Sequence, residues 1–226
     1  IVDSKNHEKL TPKEIIAVSS QVGASKIALE LGYEELKRNY YNFGFTKPIS
    51  INFPSSTFGY MNIKESVSDS ELASLGYGYG ITMSPFQIAS AYSVFANDGE
   101  YKDFQLLKNE EVTSRKIISS YSASNVLDAL KKVVKDGTGK AAEINGFSEG
   151  GKTGTVHKIK KGSGYAEDSY RASFIGIAPL SDKSLTIFVS IDEPGLNSYT
   201  GGSVAAPVFA KIAESSLNHL GYFEDE

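Results

Sequence analysis

Apolar residues recur at helical spacing through the first half of the chain. Thr11 and Pro12 form an N-cap and first-turn pair that predicts a short helix ending near Ser19. A second helix is predicted from Val22 to Leu31, closed by Gly32, with Ile27, Ala28 and Leu31 on its apolar face. Further helices are predicted over Tyr33 to Asn42, over Pro85 to about Asn97 with Ser84 as its cap, and over Ser122 to Val134.

The spacing becomes strand-like after Gly137. Three short runs are rich in β-branched or aromatic residues, namely Gly151 to Ile159, Ala172 to Ala178 and Leu185 to Ile191. Because short turns separate them, an antiparallel sheet is expected. A closing helix from Val204 to Leu220 is expected to cover this sheet, with Val208, Ile212 and Leu217 facing inward. The predicted fold class is therefore α/β or α+β, an antiparallel sheet flanked by helices.

The chain is expected to form one domain over 1–226, mainly helical over 1–147, with the sheet strands and the C-terminal helix over 148–226. The segment from Lys47 to Ser70 lacks a clear period and is predicted to be a loop. Lys158 to Lys161 and Tyr165 to Tyr170 are expected to form a second loop, near the cleft.

Composition excludes several kinds of function. The net charge is −4 with scattered basic residues, so nucleic acid is not an expected partner. There are no cysteines, and the three histidines stand far apart, so no metal or other cofactor is expected. No stretch reaches the length of a membrane span. Since residue 1 is Ile, the native chain is expected to begin further upstream.

The segment from Gly150 to Thr155, GGKTGT, opens the first predicted strand. Lys152 supplies a positive charge, and the hydroxyls of Thr153 and Thr155 fall on one side of a strand because the strand period is two. Such an edge is suited to bind a carboxylate. The competing interpretation is a glycine-rich turn with an exposed lysine, which composition alone favours.

Two nucleotide-binding motifs are nominally present but do not fit their context. Gly146 to Thr153 matches the spacing of a P-loop, yet a polar segment precedes it and a strand-like run follows it. Gly76-x-Gly78-x-Gly80 has Ile81 in place of the third glycine of a dinucleotide fingerprint. Neither motif indicates a nucleotide site.

Five segments together resemble the class B penicillin-binding proteins, most closely the division-specific members. They are the K-T-G-T box at Lys152 to Thr155, the S-x-N-like turn at Ser19 to Gln21, GYGYGITMSPFQIASAYSVFANDG at Gly76 to Gly99, DGTGKAA at Asp136 to Ala142, and YTGGSVAAPVF at Tyr199 to Phe209. The resemblance implies the penicillin-binding-protein and serine β-lactamase-like fold. It also implies serine acyl transfer on D-Ala-D-Ala stem peptides in cell-wall synthesis and division.

The resemblance further implies roles for single residues. Ser19 would relay protons, and Lys152 would be an electrostatic partner that keeps neighbouring groups poised. Thr153, Gly154 and Thr155 would bind the substrate, the two hydroxyls holding its carboxylate. The backbone N–H of Thr155 would be one half of the oxyanion hole.

The chain departs from the family pattern at two places. Gln21 replaces the asparagine of the S-x-N turn, and it is expected to keep the role of binding substrate through its amide. No lysine has a serine three residues before it, so the Ser-x-x-Lys box with the nucleophile is not in these residues. The chain is therefore expected to be the C-terminal part of a transpeptidase domain, inactive alone.

The resemblance implies that the full protein lies on the periplasmic side, anchored to the inner membrane by an N-terminal helix absent from this chain. Its expected partners are peptidoglycan stem peptides, β-lactam antibiotics, and division or elongation machinery with a glycan polymerase. Two alternatives remain: a non-catalytic peptide- or penicillin-binding sensor, and a related β-lactamase or D,D-carboxypeptidase that uses water as acceptor.

Overall fold

A computed structural model describes residues 1–46, 59–108, 111–160, 164–181, 183–195 and 197–222. The chain divides into two compact units. The first consists of Ile1–Ile16 and Ser20–Asn125, and the second of Ala17–Ser19 and Val126–Glu226. Residues 17–19 are thus part of the second unit although their neighbours in sequence belong to the first.

Helices dominate the first unit and the start of the second. Their bounds are α1 Pro12–Val18, α2 Gln21–Leu31, α3 Tyr33–Asn42, α4 Asp69–Gly76, α5 Pro85–Ala96 and α6 Ser120–Lys135, and a two-stranded antiparallel sheet of β1 Glu100–Lys102 and β2 Ser114–Lys116 lies between α5 and α6. The five predicted helices up to α6 are confirmed within two residues at each end. Among the described residues, no helix is both long and apolar enough to cross a bilayer.

Capping explains where several helices begin. Ser84 Oγ accepts from the N–H of Gln87, while Gln87 Oε1 accepts from the N–H of Ser84, and Pro85 takes the first turn of α5. Ser68 and Glu71 form an equivalent reciprocal pair of capping hydrogen bonds at the start of α4. This helix falls at the end of the segment predicted to be a loop, and the prediction is wrong from Asp69 onward. Residues 47–58 of that segment lie outside the described residues.

The apolar face predicted for α2 is confirmed at Ala28 and wrong at the other two residues. Ile27 and Leu31 are exposed, and Ala28 is buried together with Ser25. Ser25 Oγ donates a hydrogen bond to the carbonyl oxygen of Ala73 in α4. Small residues therefore face α4, since they allow the two helices to pack closely.

The second unit is built on a three-stranded antiparallel sheet. Its strands are β3 Gly150–Lys160, β4 Gly164–Ala178 and β5 Leu185–Asp192, in the order β3-β4-β5. A π-helical turn, Gly201–Ala205, leads into α7, Ala206–Leu220. The predicted sheet is confirmed, but β3 and β4 are longer than expected. The loop predicted over Lys158 to Lys161 and Tyr165 to Tyr170 is wrong for its described residues, because β3 continues to Lys160 and β4 begins at Gly164, with a register shift between His157 and Ile159. Lys161 lies outside the described residues.

The core of the second unit lies between the sheet and α7. Phe174 of β4 and Phe209 of α7 are fully buried, with ring centroids 5.0 Å apart. Ala206, Ala213 and Leu217 continue the buried stripe at helical spacing. The prediction that Val208 and Ile212 face inward is wrong, because small residues and one aromatic ring form the stripe and leave both side chains outside.

The core position of Phe209 gives a test of this packing. Phe209→Ala is expected to lower the free energy of unfolding by about 3–5 kcal/mol, because it leaves a cavity against Phe174. The neighbouring Val208→Ala, at a side chain 37% exposed, should cost less than about 1 kcal/mol. Urea unfolding measures both values. Equal costs for the two variants would contradict the described orientation of α7.

Candidate active site

Strand β3 carries the lysine and the two threonines of the predicted binding edge. Within the described sheet, β3 has β4 as a partner on one side, and its other side is an edge. Thr153 and Thr155 lie on the same face because side chains alternate along a strand. Thr155 is exposed and Thr153 is half-buried. The interpretation of this segment as a glycine-rich turn is therefore wrong.

Ser19 meets Lys152 across 133 positions of sequence. Lys152 Nζ donates hydrogen bonds to Ser19 Oγ at 2.8 Å and to the carbonyl oxygen of Thr153 at 3.0 Å. Ser19 follows the end of α1 and has φ of 59°, the left-handed region that residues with a side chain rarely adopt. Within the second unit, the N–H of Thr138 donates to the carbonyl oxygen of Ala17 at 3.2 Å, which anchors the residues just before Ser19.

Burial lowers the pKa of Lys152 from 10.5 to about 8, because the ammonium loses hydration that the two oxygen acceptors only partly replace. At pH 7 such a group is still protonated in roughly nine molecules of ten. Lys152 is therefore a charged hydrogen-bond donor that can also release a proton at moderately alkaline pH.

The direction of these bonds determines what Ser19 can do. A hydroxyl group has one proton and two lone pairs. Since Ser19 Oγ accepts from Lys152, its own proton is available to another acceptor, and its remaining lone pair can take a proton from a donor. Ser19 is also exposed, so a bound substrate can reach it. The pair thus has the properties of a proton relay.

The hydroxyl of Thr155, like that of Ser19, accepts a hydrogen bond from within the protein. Its Oγ1 accepts a hydrogen bond of 2.9 Å from the N–H of Gly201, the first residue of the π-helical turn. The Thr155 proton is therefore available to an acceptor outside. The hydroxyl of Thr153 lies 2.8 Å from that of Thr138, which sequence reasoning did not select. Lys152, Thr153 and Thr155 together offer one cation and two hydroxyls on one edge, a combination suited to a carboxylate.

Three aromatic side chains continue the exposed face of β3 beyond Thr155. His157 lies two positions further along the strand, and its ring centroid is 4.6 Å from that of Tyr170 on β4. Tyr170 stacks in turn on Tyr199, with centroids 4.2 Å apart. Tyr199 precedes the turn that contains Gly201. These rings form an aromatic cluster that begins two positions beyond Thr155 on β3.

Gln21 belongs to the first unit, where it is the exposed first residue of α2. Its N–H donates to Asp3 Oδ1 at 2.7 Å, and the N–H of Val22 donates to the same oxygen at 3.1 Å. Ser20 Oγ donates to Asp3 Oδ2 at 2.5 Å. Desolvation opposes ionisation of Asp3, but these hydrogen bonds outweigh it and lower the pKa of its carboxyl. Asp3 thus fixes the start of α2, and no sequence motif indicated it.

The lowered pKa of Lys152 predicts its titration. In an NMR titration the Nζ signal is expected to change with a midpoint near pH 8, whereas exposed lysines titrate near 10.4. The signal should be missing in Lys152→Arg, which provides the assignment. Between pH 8 and 10.5 the folded state binds fewer protons at this group than the unfolded state, so the group makes the free energy of unfolding rise with pH there. A midpoint near 10.4 would contradict the described burial.

Comparison with known proteins gives one consistent result. Residues 1–214 match the family model of the penicillin-binding protein transpeptidase domain. A probable peptidoglycan D,D-transpeptidase of Pseudomonas aeruginosa is 37% identical over 222 residues, which are 97% of this chain and 39% of the relative. Stage V sporulation protein D of Bacillus subtilis is 32% identical and covers 95% of this chain and 35% of its own length. The chain thus spans well under half of these relatives.

Solved structures agree with this assignment. The apo transpeptidase domain of penicillin-binding protein 3 from Burkholderia pseudomallei has a TM-score of 0.91 and 34% identity, covering all of this chain and 69% of that one. Penicillin-binding protein 3 of Mycobacterium tuberculosis, in complex with aztreonam, has a TM-score of 0.89 and 25% identity, covering all of this chain and 55% of that one. The predicted resemblance and fold class are confirmed, and this chain belongs to the penicillin-binding protein transpeptidase domain family.

Proposed function

We propose that the full-length protein is a serine-type peptidoglycan D,D-transpeptidase and that this chain supplies its proton relay and its carboxylate-binding edge. The observation that carries the proposal is the hydrogen bond from Lys152 Nζ to Ser19 Oγ, made by the strand that also carries Thr153 and Thr155. The names of the relatives support the reaction class. The chain covers 39% of the first relative, which leaves room for a Ser-x-x-Lys box elsewhere in the protein.

The acylation step needs a proton at the leaving amine. The nucleophilic serine oxygen attacks the carbonyl carbon of the penultimate D-Ala, and its proton passes to a basic group. The C–N bond then breaks, and the terminal D-Ala leaves as an amine that takes one proton. In the proposal Ser19 delivers this proton, and Lys152, through its bond to Ser19, replaces it.

The second step repeats the transfer in reverse. The amine of another stem peptide attacks the ester carbonyl, loses a proton and forms the new amide bond, while the ester C–O bond breaks and the serine regains a proton. The peptide cross-link and the free enzyme are the products. A relay that both accepts and donates serves both steps, which a hydroxyl hydrogen-bonded to a lysine can do.

Substrate orientation is assigned to the edge of β3. The hydroxyls of Thr153 and Thr155 donate to the C-terminal carboxylate, with Gly154 between them allowing close approach. In an antiparallel strand the N–H and C=O of one residue point to the same side of the strand, and successive residues point to opposite sides. The backbone groups of Thr153 and Thr155, two positions apart, therefore point to the same side. Because Lys152 Nζ bonds the Thr153 carbonyl oxygen, the N–H of Thr155 is available as an oxyanion-hole donor. The amide of Gln21 is assigned to the substrate backbone.

The remaining assignments concern the whole protein. We place it on the outer face of the inner membrane, held by an N-terminal helix, with stem peptides as substrates and β-lactams as inhibitors. A division or elongation complex with a glycan polymerase is its proposed setting. The aztreonam complex of the mycobacterial relative supports β-lactam binding.

Covalent labelling tests the reaction class. Full-length protein treated with a fluorescent penicillin is expected to retain the label after denaturation, while this 226-residue chain gains no mass, since it has no Ser-x-x-Lys box. Gel fluorescence and intact-mass spectrometry give the two results. Reversible binding without an adduct in the full-length protein would favour a sensor, and turnover of penicillin within seconds would favour a hydrolase. An adduct on Ser19 would contradict its role as a relay.

The relay role of Ser19 is tested by substitution in the full-length protein. Ser19→Ala is expected to lower the rate of penicillin acylation by about 10²–10⁴-fold, the usual contribution of a positioned proton donor. Ser19→Gly should lose as much rate, although glycine adopts the left-handed backbone without strain. The exposed Ser124→Ala in α6 is the matched control. Near-normal acylation by Ser19→Gly would exclude the hydroxyl from the reaction.

A further inference from the structure

Thr138 lies in the DGTGKAA segment, which contributes to the family resemblance but has no role in the site so far. It follows the end of α6 and precedes a short 3₁₀ turn, Lys140–Ala142. Its side chain is exposed, and its Oγ1 is 2.8 Å from Thr153 Oγ1. An unassigned hydroxyl therefore sits against the centre of the proposed carboxylate edge.

The backbone at Thr138 is fixed by contacts on two sides. Its N–H donates to the carbonyl oxygen of Ala17, two residues before Ser19. A Cβ added to Gly137 would lie 2.2 Å from that same Ala17 oxygen, and a Cβ added to Gly202 would lie 2.3 Å from the Thr138 carbonyl oxygen. Only glycine fits at either position without a shift. The turn at Thr138 thus packs between the residues that precede Ser19 and the π-helical turn whose Gly201 donates to Thr155.

The side chain of Thr138 has little freedom within this frame. A β-branched residue has few χ1 rotamers, so a fixed backbone places its hydroxyl within narrow limits. The N–H groups of Gly137 and Gly139 both donate to the carbonyl oxygen of Val133, which anchors the turn to the end of α6. The contact with Thr153 therefore depends on the fold of the second unit and not on a chance rotamer of an exposed residue.

Proton counting gives this contact a direction. Each hydroxyl has one proton, so either Thr138 donates to Thr153 or the reverse holds. If Thr153 donates to Thr138, its proton is no longer available to a substrate. If Thr138 donates, Thr153 Oγ1 is satisfied as an acceptor and its proton points away. A carboxylate can only accept, so its binding favours the second arrangement.

We propose that Thr138 is a positioning residue for substrate recognition, whose hydroxyl donates to Thr153 Oγ1 and directs the Thr153 proton to the C-terminal carboxylate of the stem peptide. The proposal rests on the proposed function, because it assumes that this edge binds the carboxylate. It gives Thr138 no part in bond making or breaking.

The test uses full-length protein with a penicillin carrying a free carboxylate and with its methyl ester. Thr138→Val keeps the shape and removes the hydroxyl, and Thr138→Ser restores the hydroxyl. For the free acid, Thr138→Val is expected to lower the second-order acylation constant about ten-fold, the range of one hydrogen bond to a charged group. Thr138→Ser should stay within about three-fold of wild type. For the ester, Thr138→Val should change the constant less than about two-fold.

A double-mutant cycle separates positioning from a structural effect. In a Thr153→Val background the further change Thr138→Val should cost less than about two-fold, because the proton to be directed is already absent. Equal losses on acid and ester, additive losses in the cycle, or no loss at all would each overturn the proposal. If the wild type is acylated and Thr138→Val has the same acylation constant, only the role of Thr138 is overturned. Wild-type protein that is never acylated overturns the proposed function together with it.

Discussion

The contact between Lys152 Nζ and Ser19 Oγ is the interaction on which the other features of the site depend. It requires that the end of α1 reach strand β3, and residues 17–19 are accordingly part of the second unit. It also requires a lysine ammonium to lose much of its hydration, which is why the pKa of Lys152 falls to about 8. The Ser19 and Thr153 oxygens partly replace the lost water. Removing either acceptor would leave the charge less well solvated, so the geometry of the relay and the cost of the buried charge are coupled.

The left-handed backbone of Ser19 adds a conformational free-energy cost to the cost of burying the Lys152 charge. A non-glycine residue in this region costs on the order of 1–2 kcal/mol, and such residues persist where surrounding contacts fix them. Here the bond from the N–H of Thr138 to the Ala17 carbonyl oxygen fixes the residues just before Ser19, and Lys152 fixes its side chain. Thr138 thus contacts Ala17, which precedes Ser19 by two residues, and Thr153 of the hydroxyl edge, so a change in its turn would affect both segments.

Helix ends were predictable because their signals are local. Ser84, Pro85 and Gln87 begin α5 by contacts among themselves. Which side of α7 faces the sheet was not predictable from apolar character, because Ala206 and Ala213 face the sheet while the larger Val208 and Ile212 do not. A close approach of helix to sheet selects small residues, and that distance depends on the whole sheet.

The same distinction applies to the site. The spacing of Thr153 and Thr155 is a property of one strand and follows from the sequence. The separate roles of Ser19 and Lys152 followed from the family resemblance, but their contact did not, since no local rule joins residues 133 positions apart. The contact of Asp3 had no signal, and the family resemblance marked the segment of Thr138 without indicating its contact, because each contact depends on where a turn places a single oxygen.

The charge of the site gives the relay a dependence on substrate. In the proposed complex the carboxylate at Thr153 and Thr155 lies near Lys152, and a nearby anion favours the protonated ammonium and raises its pKa. Lys152 then stays a donor to Ser19, which keeps the Ser19 proton directed outward. Without an anion, a fraction of molecules hold Lys152 neutral, and its bond to Ser19 can reverse. Under the proposed function, binding the carboxylate therefore sets the direction of the relay as well as the position of the peptide, and recognition and proton transfer both depend on Lys152.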